Sequence, residues 1–458
     1  VNNAWNFNGN NGNLNNNNVN NANQVGAVTI LPKTVFTLMT DERFFSIMVQ
    51  TMFNARKNKR YGRDSADFER NWAPRLVRMT HQLQERTFRV DHNYAFLTSI
   101  PKWREIFATI FEGRTADHLL CDTLEKYAAT WLSPRTFNNR KGMGMQAAIN
   151  QVLEDIYEAT QGFTQPCRII KWDLSGFFPN AQNDYIERCY RNLIEHNREA
   201  IAAEYDDEMP NFLQWLAMIC VHGNPAQHCE LRTPKRLWGE HIKPDKSLIG
   251  KPPGIGCPIG RQASQIGMGL YLNDEIVWLN KDCGIRSTLF MDDCVEVVPE
   301  WQHQYALSLF PELRRRLAAK GIRLNEHKFY DQPYYRGFEF LGSHIKLNRV
   351  HLNNKTYGRA RMRIGELNAL PNKLAYIDHF VQTMNSYIGL LKNRTDYKRM
   401  LALVDMADAG WWTMCEWNDE KKCVAYRPGY KPNERLVTKY HLKLKRNDKS
   451  RNSRAQKH

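Results

Sequence analysis

Three acidic side chains could do chemistry in this sequence. Asp173 closes the apolar run CRIIKWDL (167–174), and Asp292 and Asp293 sit between the apolar halves of STLFMDDCVEVV (287–298). Carboxylates at the ends of buried segments are unfavourable unless paired or bound to metal. Three of them brought together make a hard-oxygen site suited to Mg²⁺. Two such ions, roughly 4 Å apart, can activate an attacking hydroxyl and stabilise a leaving phosphate oxygen. An Asp-Asp pair by itself is more often a solvated turn or a helix cap, so the weight falls on its ordered neighbours.

These acids need elements to position them. Both apolar runs are short, which predicts buried strands, the second folded as a hairpin with the Asp pair at its tip. Periodicity predicts helices over 44–53, 67–88 (through Leu76, Met79 and Leu83), 104–132, 144–158 and 310–321, with a basic loop at 55–63. Short strands are expected around 338–347. From about 360 onward the chain reads as helical, with Ile377, Phe380, Val381, Met384, Ile388 and Leu391 on one apolar stripe. The expected fold class is α+β. No internal repeat is visible.

Composition narrows the function classes. At 458 residues the chain is long enough for about three lobes. With 42% hydrophobic and 24% charged residues it is not disordered throughout. No run is long and apolar enough for a transmembrane helix, no signal peptide is seen, and no membrane association is expected. The excess of 64 basic over 48 acidic residues, +16, points to a polyanionic partner. The 12 Trp, 19 Tyr and 21 Phe suit base stacking and a large core equally. Ten cysteines without a CxxC pair argue against a zinc ribbon and against a disulfide scaffold. His222, His228, Cys229 and His241 lie close in sequence, but their spacing fits no standard zinc pattern. A reducing, cytoplasmic location is expected. Residues 1–24 contain 14 asparagines and cannot bury a core, so this head is expected to be disordered or docked on something else. The last residues, HLKLKRNDKSRNSRAQKH, form a basic tail.

The ordered neighbours carry a resemblance. KWDLSGFFPN (171–180), GIGCPIGRQASQIGMGLYLN (254–273), FMDD (290–293), LNEHK (324–328) and EFLG (339–342) resemble, in this order, the successive palm motifs of reverse transcriptases. PKWREIF (101–107) and FNNRKGMGMQAA (137–148) look like the fingers motifs, so the likeness covers roughly 40–400. Within that family the chain is most similar to the enzymes of diversity-generating retroelements. Its second palm motif follows their IG-x-x-x-SQ pattern, where retroviral and group II intron enzymes carry QG-x-x-x-SP-like versions. The Asn-rich head also resembles the variable tail of such an element's target protein, and Asn codons are adenine-rich. The head then reads as a passenger peptide translated from the template repeat; a functional disordered arm is the other reading.

The resemblance implies a right-hand polymerase: an Asn-rich head over 1–30, helical fingers over 31–165, a palm with antiparallel sheet over 166–350, a helical thumb over 351–440 and the basic tail over 441–458. The palm holds an insertion at about 222–251 whose role stays open. By the same resemblance Asp173, Asp292 and Asp293 bind two Mg²⁺ ions, and Lys328 donates a proton to pyrophosphate. Lys102 and Arg104 clamp the triphosphate, whose leaving group gathers negative charge. Phe178 lies under the sugar and collides with a 2′-hydroxyl. Ile259 stands where high-fidelity relatives carry glutamine, and an isoleucine cannot hydrogen-bond. Gly260 and Gln265 complete the nucleotide pocket, with Ser264 as a cap of the following helix. Arg140 and Lys141 serve the template strand, and Phe340, Leu341 and Gly342 form the primer-grip turn. One departure stands out: Gly113 precedes Arg114 where relatives usually show Asp.

The implied activity is error-prone, adenine-mutagenic cDNA synthesis from a template-repeat RNA. The implied partners are that RNA, its cDNA, dNTPs and a small helical, basic, oligomeric accessory protein. Two rivals stand beside it. One is a reverse transcriptase of a bacterial antiphage system, which shares the motifs and differs in its product. The other is an RNA-binding protein that has lost catalysis, against which the full acidic triad argues. No RNase H domain is expected after the thumb.

Overall fold

Leu76, Met79 and Leu83 recur at spacings of three and four, and in this computed structural model all three are buried on one side of the helix Trp72–Gln84. The structure describes residues 41–430 apart from 58, 60, 61, 91, 99–102, 224, 227 and 228. The Asn-rich head, Lys102, His228 and the basic tail therefore lie outside the described residues. The predicted helix over 44–53 is the core of Asp41–Arg56. The one expected over 67–88 is two helices, Arg63–Arg70 and Trp72–Gln84, broken at Asn71, whose φ of −134° and ψ of 41° are not helical.

A second expectation needs correcting. Residues 104–132 do not form one helix. Asn93–Thr98 (β1) and Arg104–Thr109 (β2) pair as antiparallel strands, and the helix runs only over Phe111–Trp131. The physical reason is visible in REIFAT: Glu105, Phe107 and Thr109 are buried while Arg104 is exposed, a period of two that a long helical stretch next to it masks.

The centre of the molecule is an antiparallel sheet around Cys167–Ser175 (β3). Six of its nine residues, among them Ile169, Ile170, Trp172 and Asp173, are buried. Cys229–Leu231 (β4) lies outside this sheet and pairs in parallel with β1. Arg286–Phe290 (β5) and Asp293–Pro299 (β6) form the expected hairpin, and β6 pairs with β3. On its other edge β3 meets Arg323–Leu324 (β7) and Tyr330–Pro333 (β8). The helix Met145–Ala159 turns Ala148, Ile149, Val152 and Ile156 towards this sheet, where they pack with Ile169, Val295 and Val297. The helices Asn183–His196, Met209–His222 and Gln262–Tyr271 pack with Phe111–Trp131, and their buried faces form a core shared with Trp172 and Leu174.

Phe338–Phe340 (β9), Ser343–Lys346 (β10) and Arg349–Leu352 (β11) make a second small sheet. The helices Asn354–Asn368, Ile377–Lys392 and Tyr397–Asp405 follow. All six residues of the predicted stripe are buried in Ile377–Lys392, and Phe380 stacks on Trp411 with centroids 4.3 Å apart. This part has a core of its own. It is not helical to the end: Cys415–Asn418 (β12) and Cys423–Tyr426 (β13) form a hairpin. Asn385 holds it by donating to Val424 O at 2.9 Å and accepting from Val424 N at 2.7 Å. The class is α+β. Among the described residues no helix is long and apolar enough to cross a membrane.

Candidate active site

Asp173 and Asp293 are direct partners in the β3–β6 ladder. Opposed residues of an antiparallel pair have Cα atoms about 5 Å apart and side chains on one face. Asp292 lies in the two-residue turn joining β5 to β6. Asp173 is thus brought to the same end of the sheet as Asp292 and Asp293, which are far from it in sequence. The turn is held from outside. Met291 has a φ of +59°, an uncommon conformation for a side-chain-bearing residue, and its N–H donates to Asn138 Oδ1 at 3.1 Å.

Two lysines face the acids. Lys328 Nζ donates to Asp173 Oδ2 at 2.6 Å. Its position follows from the backbone, since Asn325 N donates to Asp173 O at 2.8 Å and starts the short turn Glu326–Lys328. Lys171 Nζ lies 3.0 Å from Asp293 Oδ1. That oxygen is buried and makes no hydrogen bond of proper geometry. Burial pushes the Asp293 carboxyl up to about 6 against the pull of Lys171, and the charges of Asp292 and Asp173 push the same way. Sequence reading missed Lys171. Its signal was the strand period, which puts 171 and 173 on the same face.

In chemistry, though not gathered as a cage, the donor set is of the kind that hard divalent cations take. All three side chains offer carboxylate oxygens, one buried oxygen lacks a hydrogen bond, and mutual repulsion disfavours three bare negative charges at one place. Among the described residues no three His, Cys, Asp or Glu side chains are gathered as a ready cage. Lys328 and Lys171 hold two of the acids instead. Of the residues suggestive of zinc, His222 bonds Glu187 at 2.7 Å and His241 stacks on Trp103.

Other predicted residues fall as follows. Phe178 is half-buried in the turn Phe177–Asn180 that follows β3, edge-on to the buried Phe177. Ile259 is half-buried, and its carbonyl accepts from Phe107 N at 2.9 Å, tying this loop to β2. Gly260 has a φ of +123°, and a Cβ there would stand 2.6 Å from Phe107 O, so only glycine allows this approach. Gln265 lies in the first turns of Gln262–Tyr271 and its carbonyl accepts from Asn139 Nδ2 at 3.0 Å. Ser264 does not cap that helix. The cap position belongs to Arg261, whose guanidinium is instead buried against Asp117 of Phe111–Trp131. Arg104 is exposed at the start of β2.

Arg140 donates to the carbonyls of Ser133, Thr136 and Ala129 at 2.8–2.9 Å. Its guanidinium therefore shapes its own loop. Lys141 is exposed beside a pocket of about 330 Å³ between that loop and the helices Phe111–Trp131 and Gln262–Tyr271. The Phe340 ring is fully buried, whereas Leu341 and Gly342, both at positive φ, form the tight turn between β9 and β10. Lys171 joins this strand to the acids by donating to Glu339 O at 2.9 Å.

No family model and no curated protein matches the chain. Among solved structures it is similar to apo telomerase from Candida tropicalis truncated from the C-terminal domain, at 10% identity and a TM-score of 0.39. The match covers 58% of this chain and about half, 55%, of that one.

Proposed function

We propose that the chain is an RNA-directed DNA polymerase of the diversity-generating retroelement type. The observation that carries this reading is Asp173 opposite Asp293 in the ladder, with Asp292 in the adjoining turn. In this reading those three acids hold two Mg²⁺ ions, which supply positive charge to the attacking and leaving oxygens. Lys328, which donates to Asp173, is the group that would give its proton to the departing pyrophosphate. Lys102 and Arg104 hold the triphosphate, and Phe178 lies beneath the deoxyribose. Ile259 offers no side-chain hydrogen bond at the nucleotide, which weakens discrimination by on the order of 1 kcal/mol, about fivefold in error. Lys141 meets the template backbone, and the turn at Leu341–Gly342 meets the primer.

The lobes then take the roles of fingers, palm and thumb. A structured template-repeat RNA and an oligomeric basic accessory protein are the proposed partners. The test is primer extension by the purified chain on an RNA template with dNTPs and Mg²⁺. Extension should be lost in Asp173→Asn while RNA binding stays within about twofold, since the change leaves the basic surface intact. Extension by a double variant, Asp173→Asn with Asp292→Asn, refutes the site. Sequenced cDNA should carry substitutions concentrated at template adenines; faithful products would refute the retroelement subtype and leave the polymerase.

A further inference from the structure

Within the insertion, residues 229–251 belong to neither the acids nor the nucleotide contacts, and they are built onto the β1–β2 hairpin. β4 extends that hairpin into a three-stranded sheet. Arg232 N donates to Ala95 O at 2.8 Å, and Leu97 N donates to Thr233 Oγ1 at 3.0 Å. Trp103 stacks on His241 with centroids 3.9 Å apart. Ala95, Phe107, Trp238, Ile242 and Leu248 form a small core between the two segments.

The strongest junction is Glu105, the neighbour of Arg104 on β2. It is only 6% exposed. Trp238 Nε1 and Ser247 Oγ each donate to its Oε2 at 2.6 Å, and Leu248 N donates to its Oε1 at 2.8 Å. All three donors come from the insertion. The same segment reaches the other side of the site. Leu248 Cδ2 closes over Gly256, and Lys251 Nζ donates to Asn180 Oδ1 at 3.0 Å, at the end of the Phe178 turn. Residues 247–251 thus run from the strand that begins with Arg104 to the turn that carries Phe178.

We propose that residues 229–251 are a strut that sets the width of the nucleotide slot, with Glu105 as its positioning residue. This rests on the function proposed above for Arg104 and Phe178. A two-stranded hairpin is marginal on its own, so the placement of Arg104 depends on what holds β2. A buried carboxylate that loses its donors is left unsatisfied, and the strand must shift to find water. Glu105 makes none of its hydrogen bonds to the acids. Its effect therefore falls on nucleotide binding and not on the chemical step.

The experiment compares Ser247→Ala, Glu105→Gln and Glu105→Leu by steady-state dNTP incorporation and by amide hydrogen exchange. Ser247→Ala removes one donor. Glu105→Gln keeps one acceptor oxygen and presents an amide N–H₂ to Ser247. Glu105→Leu removes every acceptor at similar volume. The KM for dNTP should rise in that order, reaching about tenfold or more in Glu105→Leu, with kcat within about threefold. Exchange over residues 93–109 should quicken in the same order while the helix Ile377–Lys392 stays protected. Should Glu105→Leu fail to fold, the two milder variants carry the comparison. Unchanged KM, a fall in kcat alone, or quickened exchange throughout the chain overturns the strut. If the wild-type chain makes no DNA, the function proposed above fails, and the exchange pattern still decides whether 229–251 braces the hairpin.

Discussion

The ammonium of Lys328 lies 2.6 Å from Oδ2 of Asp173, the carboxylate that stands opposite Asp293. A cation on that oxygen competes with any metal ion for it. Lys328→Met should therefore lower the Mg²⁺ concentration needed for half-maximal synthesis. It should also reduce kcat by about 10²-fold, as expected when a proton donor is removed. A magnesium titration of primer extension measures both. If neither quantity moves, the lysine has no part in the reaction.

Phe178 sits in the turn after β3, edge-on to Phe177 and half-buried. Phe178→Ala should open space beneath the sugar and admit ribonucleotides, lowering the preference for dNTP by about 10²-fold or more. Competitive incorporation of dATP and rATP reads the ratio. Unchanged sugar selectivity would return the ring to a packing role.

Glu296 lies on β6 and is fully buried, with Trp172 Nε1 donating to its Oε1 at 2.7 Å. Burial pushes its carboxyl up from 4.5 to about 7, and the Trp172 hydrogen bond opposes the shift only in part. The folded state then holds a proton that the unfolded chain has already released. Stability must fall as pH rises from 4.5 towards 7, by on the order of 3 kcal/mol, and level off above. Glu296→Gln keeps an acceptor for Trp172 and has no charge to bury. Its Tm should exceed that of the wild type at about pH 8 and approach it at about pH 5. A difference in Tm that is the same at both pH values contradicts this account.

Packing holds position 113 to glycine. A Cβ at this position would stand 2.1 Å from Thr109 Oγ1 and 2.9 Å from Val90 Cγ1. Gly113→Asp should destabilise the fold by about 2–4 kcal/mol. Thr109→Ala in the same chain should recover part of that loss. Thermal melts of the single and double variants check it. A neutral Gly113→Asp would mean that β2 shifts freely against the helix Phe111–Trp131, and the strut at Glu105 would be weakened with it.

Much of this molecule was legible in the order of its residues. The stripe from Ile377 to Leu391, the strand ending at Asp173 and the hairpin carrying Asp292 and Asp293 are all local patterns. Each follows from a period of 3.6 or 2 that burial imposes on neighbours along the chain. Where two periods met, the reading failed: REIFAT was absorbed into the adjoining helix, and the β12–β13 hairpin was missed because four-residue strands leave little pattern.

What residue order could not supply was which side chains meet. That Lys171 and Lys328 face the acids and that Arg261 is buried on Asp117 both depend on contacts between residues far apart in sequence. The same holds for Glu105, on which Trp238, Ser247 and Leu248 converge from another segment. Periodicity reports which face of an element is buried; only the packed chain decides what a buried polar group finds there, because its partner comes from another segment.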